Sequence, residues 1–358
     1  MRYVGVDVHK KVCRAAMLDD EGELVDECSF ANSEKGVDEF LMRVEPFKDE
    51  VLAAVESTGN LWIRLYDCLE ERGVRIVLSN PYKTRLIAEA KVKTDRIDAR
   101  VLAQLLRADM LPLCYVPTLA QRDRRQFIRY RISLVKVKTE VKNRIHSLLD
   151  RHGLRCPFKT LFSKKGLKWL HSLELGFTDD AVLRSDLALL SVLGEQIAFV
   201  EGKIAALSVD DERVKLLMTM PGLGYFAASL LVAEICDIGR FSSDKRLVSW
   251  AGLAPGVQQS GDKSRGGRIT KQGNKLVRWV LVEAAKNACR YDERFREFYE
   301  RYARRKGGQK AVVAVAHEML RVVWFMLRRN EPYRGGRSDL SVRKLKRLER
   351  LGHIGLQV

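Results

Sequence analysis

The chain has 358 residues, 46% hydrophobic and 31% charged, the balance of a soluble globular protein with room for two or three domains. Its 64 Lys and Arg against 46 Asp and Glu leave a net charge of +18, a surplus that points to a polyanionic partner, nucleic acid rather than lipid. The seven cysteines (Cys13, Cys28, Cys68, Cys114, Cys156, Cys236 and Cys289) are scattered without a close pair, which argues against a zinc site or a disulfide framework and fits a reducing cytoplasm.

The N-terminus enters directly into a strand pattern, so no signal peptide is expected. Residues 3–8, 12–18 and 23–30 are strand-like, with Asp19-Asp20-Glu21-Gly22 as the turn between the last two, and a β-meander is the natural reading. Helical spacing follows in Val37, Phe40, Leu41 and Val44, then a buried strand at 51–55, a helix at 61–72 ending at Gly73, and a strand at 74–78 stopped by Ser79-Asn80-Pro81. Three antiparallel strands followed by alternating helix and strand is the order of an α/β, RNase H-like domain.

Within it four acids stand out. Asp7 ends the first strand, Glu56 ends the run 51–55, and Asp95 and Asp98 lie three apart in the first turn of a helix at 95–110, on one helical face. Four carboxylates meeting at one place repel one another unless a cation sits between them, and oxygen-only ligands select Mg²⁺, with Mn²⁺ as the alternative. Each acid also has a plainer reading. A strand-end acid can simply face water, and the helix dipole favours acids in a first turn.

Between residues 118 and 208 the pattern changes. Phe127, Tyr130, Leu134, Val137, Val141, Ile145 and Leu148 recur at steps of three and four, as do Leu190, Leu193, Ile197, Val200, Ile204 and Leu207, predicting two long helices paired as a coiled coil within one chain or between two. The first is rich in cations, among them Arg122, Arg124, Arg125, Arg129, Arg131 and Arg144. That face is either solvated or set against a nucleic-acid backbone, with Arg125 and Arg129 as candidate contacts. Residues 156–180 are weakly patterned.

From residue 210 a third, mainly helical unit begins. Met220-Pro221-Gly222-Leu223-Gly224 between helical patterns resembles the turn of a helix-hairpin-helix element, where Gly222 and Gly224 would let backbone amides approach a phosphate. The segment 258–268 reads as a flexible loop that carries Ser260 with Lys263, Arg265 and Arg268. Lys271 and Lys275 follow it, and Lys10 lies beside the first strand, all three further candidate phosphate contacts. The apolar stretch 311–327 is broken by His317, Glu318 and Arg321 and predicts a buried helix rather than a membrane span. The basic tail from residue 334 is expected to be disordered when unbound.

Five motifs occur in the order seen in DEDD transposases of prokaryotic insertion sequences: Gly5-Val6-Asp7-Val8-His9-Lys10-Lys11, Glu56-Ser57-Thr58-Gly59, Lys93-Thr94-Asp95-Arg96-Ile97-Asp98-Ala99, Pro221-Gly222-Leu223-Gly224 and Trp250-Ala251-Gly252-Leu253-Ala254-Pro255. The resemblance runs from about residue 2 to 327. It implies a RuvC-like nuclease domain (1–115), a coiled-coil connector (116–208), a C-terminal transposase domain (209–333) and a basic tail (334–358). It also implies that Asp7, Glu56, Asp95 and Asp98 form a metal-binding tetrad and that Ser260 matches the serine that attacks DNA, giving a covalent phosphoserine intermediate. Family members act on donor and target DNA under the guidance of an element-encoded RNA, and the heptads supply a surface for a homo-oligomer, a dimer or tetramer, with the active site composite between domains.

Three rivals share some of these features. A junction-resolving or DNA-inverting nuclease would use the tetrad with water and have no need of Ser260. A non-catalytic DNA-binding architectural protein explains the charge but leaves the four acids without a purpose. An actin-like sugar kinase or ATPase also begins with a strand ending in Asp, but needs a Gly/Thr-rich phosphate turn where His9-Lys10-Lys11 stand here.

Overall fold

The structure, a computed structural model, describes residues 1–57, 59–87, 95–260, 263–336 and 338–357, and the side chains of these except at 48, 49, 95–97, 257–260, 263–266, 338 and 357. The chain divides into two compact units, Met1–Pro117 and Thr118–Val358.

The first unit is built on one mixed sheet. Strands β1 (Arg2–Val8), β2 (Val12–Leu18) and β3 (Leu24–Ala31) form the expected antiparallel meander. Helix α1 (Glu34–Val44), N-capped by Ser33, leads through a short 3-10 turn into β4 (Val51–Glu56). Helix α2 (Trp62–Glu71), β5 (Arg75–Ser79), α3 (Pro81–Ile87), α4 (Asp95–Arg107) and β6 (Leu113–Cys114) complete the unit. The strand order is β3-β2-β1-β4-β5-β6, with β4 parallel to both β1 and β5. Two elements had no counterpart in the pattern, α3 and β6, the latter a two-residue strand antiparallel to β5.

Alternation along the strands assigns the two faces. Val4, Val6 and Val8 of β1 with Val51, Ala53 and Val55 of β4 enter one core, closed by Phe40 and Leu41 of α1 and Leu65 and Leu69 of α2. On the other face Tyr3, Leu52 and Ala54 meet Leu102 and Leu106 of α4. Gly5 makes that packing possible, since a Cβ there would lie 2.1 Å from the Ala99 carbonyl oxygen and 2.5 Å from the Ala103 nitrogen.

The second unit contains ten helices among its described residues. Helix α5 (Leu119–Arg151) opens with a capping box between Thr118 and Gln121. It is followed by α6 (Lys164–Ser172), α7 (Phe177–Ala206), α8 (Glu212–Met218), α9 (Tyr225–Ile235) and α10 (Asp244–Trp250). A hairpin of β7 (Pro255–Ser260) and β8 (Lys263–Ile269) precedes α11 (Lys275–Tyr291), α12 (Glu293–Lys306), α13 (Gly308–Arg329) and α14 (Ser338–Gln357). The main core joins Leu217 and Met218 of α8, Leu230 and Leu231 of α9, Leu281 of α11 and Met319, Leu320 and Val323 of α13. A smaller core joins Val141 and Ile145 of α5, Leu170 of α6 and Leu183, Leu187 and Leu193 of α7. None of the described helices is long and apolar enough to cross a membrane.

Two expectations for this unit, the α5 seam and the tail, are corrected by the fold, and one stretch without a pattern is filled. The seam predicted on α5 holds at Val141, Ile145 and Leu148, but Phe127, Tyr130 and Val137 are exposed while Ile128 and Ile132 are buried. The cause is a change of neighbour: the first half of α5 serves the main core and the second half the smaller one, so the buried face rotates along the helix. The weakly patterned stretch 156–180 contains α6, nine residues capped by Ser163. The tail does not extend freely. Helix α14 buries Leu348 in the main core and crosses α7 at a pair of glycines, where a Cβ on Gly355 would lie 2.1 Å from the Gly202 carbonyl oxygen.

Candidate functional site

Asp7 and Glu56 reach neighbouring strand ends for a reason of register. Val6 pairs with Val55 in the parallel β1–β4 ladder, so the next residue on each strand is an acid. Both acids have the parity of the α4-facing residues, Gly5 on β1 and Leu52 and Ala54 on β4. Helix α4 runs antiparallel to β1. Its last residue, Arg107, donates to the Asp20 carbonyl (2.9 Å), and the Asp20 carboxylate meets the N-terminal amine (2.6 Å), which fixes that end of the helix at the start of β1. The opposite end of α4, with Asp95 and Asp98, therefore lies toward the end of β1 that carries Asp7.

Asp7 is 8% exposed, and its Oδ2 is 3.0 Å from Nε2 of His9. The contact gives His9, which was not assigned a role from sequence, a place at this edge. The signal available for it was spacing alone, two residues after a strand-end acid. Cys13, in the neighbouring strand, is buried, and desolvation raises its thiol to about 11, so it is no nucleophile at neutral pH.

Asp98 is exposed, and the side chain of Asp95 lies outside the described residues. Among the described residues no three His, Cys, Asp or Glu side chains gather closely enough to hold a metal ion. The fold thus brings Asp7 and Glu56 to one edge and one face and directs the start of α4 toward it, without closing Asp7, Glu56 and Asp98 into a ligand set. As a donor set the four carboxylates are all-oxygen and suit a hard divalent cation.

Ser260 is the last residue of β7, paired in register with Lys263 of β8. The expected loop 258–268 is thus a β-hairpin, with Gln259 opposite Ser264 and Gln258 opposite Arg265. Residues 261–262, and the side chains of Ser260, Lys263 and Arg265, lie outside the described residues. The base of the hairpin is tightly cinched. Thr270 N donates to Ala254 O (3.0 Å), Lys271 N to Gly252 O (3.2 Å) and Asn274 N to Trp250 O (3.1 Å). Gly252 and Gly273 both have positive φ, and a Cβ on Gly273 would lie 2.0 Å from the Trp250 carbonyl oxygen. Arg278 closes the base with a bond to Ala251 O (2.7 Å).

The cations nominated for nucleic acid fall into two groups. Lys10, Arg268, Lys271 and Lys275 are exposed. Arg125 is turned inward, against the expectation of a backbone-contacting face, while Arg129 keeps an exposed side chain, 55% accessible, whose guanidinium is engaged by an internal acid. Arg125 donates to the carbonyls of Ala233 (2.8 Å) and Glu234 (2.9 Å), and Arg129 makes two parallel bonds of 3.0 Å to the carboxylate of Glu234, which is 1% exposed. Asn274, the N-cap of α11, donates to the same carboxylate (2.7 Å), so this buried acid ties α5 and α9 to the foot of the serine hairpin. Arg124 pairs with Asp211, Arg131 with Glu201 and Arg144 with Asp186. A run of cations on one predicted helix says nothing of acids on elements 40 or more residues away, and for that reason these pairings were invisible in the sequence.

The predicted hairpin lies between α8 and α9. Its glycines differ: Gly222 has a φ of +85° and a Cβ there would lie 2.4 Å from the Ala284 carbonyl oxygen of α11, so its smallness serves packing. Gly224 faces open space and N-caps α9.

An N-terminal mixed sheet of this order followed by a helical unit is the arrangement of an RNase H-like domain with a helical C-terminal part. Residues 4–153 match the family model of the DEDD transposases of the IS110 group, and residues 214–300 match the model described as Transposase IS116/IS110/IS902 family. The chain is 26% identical over 345 residues to the transposase for insertion sequence element IS1111A of Coxiella burnetii, covering 94% of this chain and 92% of that protein. It is also similar to the transposase for IS1533 of Leptospira borgpetersenii (26% identity, 88% of this chain and 92% of the relative) and to that for IS1328 of Yersinia enterocolitica (25%, 72% and 78%). The chain belongs to the DEDD transposases of prokaryotic insertion sequences.

Proposed function

We propose that this DNA transposase cleaves and rejoins strands with a metal held by Asp7, Glu56, Asp95 and Asp98 in a RuvC-like unit and with Ser260 as nucleophile. The observation that carries the reading is the shared edge: two strand-end acids on one sheet face, with the helix that begins at Asp95 directed toward the same edge. Mg²⁺ bound there would polarise the scissile phosphate and offset charge on the attacking and leaving oxygens.

The chain's own groups then have separable tasks. His9 holds the Asp7 carboxylate in orientation. Ser260 Oγ forms a bond to phosphorus as its proton passes to a base, while the bond from phosphorus to the leaving sugar oxygen breaks and that oxygen takes up a proton. One phosphoester replaces another, so the DNA stays activated for rejoining without an outside energy source. Lys263, Arg265 and Arg268, on the strand after the turn, together with Lys10, Lys271 and Lys275, supply positive charge for the phosphates. The partners are donor and target DNA, an element-encoded guide RNA, and further copies of the chain joined through its long helices.

The test is a denaturing gel of the protein with RNA from its element's flank and labelled donor DNA, in Mg²⁺ or in EDTA. A covalent adduct that needs Mg²⁺ and disappears in both Ser260→Ala and Asp7→Ala is the expected result. Metal-dependent cleavage without an adduct would replace this reading with a water-using nuclease, and DNA binding without cleavage would replace it with an architectural protein.

A further inference from the structure

The segment that follows α13 is fastened to the α8–α9 turn. Tyr333 N donates to Thr219 Oγ1 (2.9 Å), and Lys344 Nζ donates to the carbonyls of Met218 (2.8 Å) and Met220 (2.9 Å), at the C-terminal end of α8. Lys344 is desolvated enough for burial to lower its ammonium to about 8, which marks this as an internal fastening rather than a surface contact. Between the turn and α14 lies a cavity of about 440 Å³ lined by Pro221, Gly222, Gly224, Asn287, Arg343 and Arg347.

Helix α14 is amphipathic in an uncommon way. Leu345, Leu348 and Leu351 turn to the main core, while Arg343, Lys346, Arg347 and Arg350 recur at steps of three and four on the exposed side. Among the described residues none of these four cations forms an ion pair, in contrast to the arginines of α5. Glu349, the acid of this stretch, acts on Lys215 of α8. At about 1.5 Å of rise per residue, positions 343 to 350 cover about 10 Å, the axial span of three phosphates of one strand at about 3.4 Å each. Arg343 and Arg347 of the ridge line the same cavity as Gly224, where α9 starts without a side-chain cap and in open space, and the Arg347 guanidinium lies 5.9 Å from the ring centre of Tyr225, the first residue of α9.

We propose that the α14 ridge of Arg343, Lys346, Arg347 and Arg350, with the α9 entry at Gly224, docks one strand of the phosphodiester backbone of duplex DNA. The argument is charge complementarity with a substrate of the family to which the chain belongs. The proposal rests on the reading that the chain acts on DNA and names a binding surface for it outside the tetrad and the serine hairpin. It makes the supposed tail a fixed part of the DNA-binding unit.

The experiment uses the full chain, a labelled 30-base-pair duplex and EDTA throughout, so that binding is read with strand chemistry switched off and a failure of the metal and serine reading leaves it untouched. Arg343→Gln/Arg347→Gln/Arg350→Gln is compared with wild type over a KCl series by fluorescence anisotropy. Loss of three phosphate contacts makes the slope of log K against log salt shallower by about 2.7, at about 0.9 per contact, and weakens binding at least tenfold at low salt. The triple Lys variant at the same positions retains the wild-type slope, which separates charge from misfolding. An unchanged slope overturns the proposal. So does an equal loss on removing Arg301, Arg304 and Arg305 of α12, which would mean a general field, or a loss seen with duplex RNA only.

Discussion

Asp7 and Glu234 are both buried acids, 8% and 1% exposed, in a chain with a large cationic surplus, yet their surroundings are opposite in kind. Glu234 lies deep in the second unit, gripped by two bonds from Arg129, by Arg125 at 3.8 Å and by Asn274. Its charge is matched by permanent cations, and its work is to hold α5, α9 and the foot of α11 together. Asp7 lies at the end of a strand, one residue past the Val6–Val55 pair that also precedes Glu56, with the His9 imidazole 3.0 Å away and Arg14 opposite it in the β1–β2 register. A buried acid paired to guanidinium is architecture; a buried acid at a strand end that neighbours another acid-bearing strand end, in a basic protein, is a candidate for chemistry.

The contrast can be broken by exchanging outcomes. Asp7→Asn is expected to lower strand cleavage by on the order of a thousandfold, the scale of several kcal/mol of lost charge stabilisation, while urea unfolding of the full chain shifts by less than about 1 kcal/mol. Glu234→Ala should do the reverse in kind. It leaves the largely covered Arg125 without its carboxylate and Asn274 without an acceptor, while the exposed Arg129 is resolvated, and costs about 2–3 kcal/mol in the urea unfolding of the second unit. If Asp7→Asn unfolds the chain while Glu234→Ala leaves it stable, the two acids have been assigned the wrong way round.

Gly5→Val sharpens the first half of the comparison, because it pushes α4 off β1 without touching a carboxylate. A stability loss of about 2–3 kcal/mol, with cleavage falling alongside, would show that the helix start must sit against the sheet for function; loss of stability with full activity would not. The smallest effect concerns Asp211, which N-caps α8 and is held by Arg124 and Arg213. Burial raises its carboxyl, but the hydrogen bonds and charges of the two arginines outweigh that and lower it to about 2 from the usual 3.8. The folded form therefore keeps the charge where the unfolded form has taken up a proton. That stabilisation is complete above pH 4 and is lost as pH falls toward 2, by about 1–2 kcal/mol. Acid unfolding of wild type and Asp211→Asn should converge across that window.

Legibility from sequence followed the range of the interactions. The first unit was readable almost strand by strand because alternation, the turn at residue 22 and the cap at Gly73 are local signals, and β1 to β5 lie within two residues of the expected limits. Of its site, the strand-end positions of Asp7 and Glu56 were legible, whereas the part of His9 depends on a side-chain contact that no period reports. In the second unit the long helices α5, α7 and α13 were legible and their partners were not, while α6 and α14 were missed. Phe127 and Tyr130 fit a heptad as well as Ile128 and Ile132 fit a core, and only the change of partner along α5 decides between them. The hairpin of β7 and β8 was taken for a loop because Gly, Ser, Lys and Gln carry no strand propensity; its closed base, made by backbone bonds, holds it in place.

The glycine crossing of α7 and α14 also sets an order of events in the cell. Gly202 emerges from the ribosome more than a hundred residues before Gly355, so the part of α7 that packs on α5 and α6 has its partners long before the Gly202 crossing does. At about 5–20 residues per second that crossing waits on the order of ten seconds for α14. A message broken before codon 355 would yield a chain lacking that closure, so the glycine crossing is the last contact of α7 to form as the chain is made.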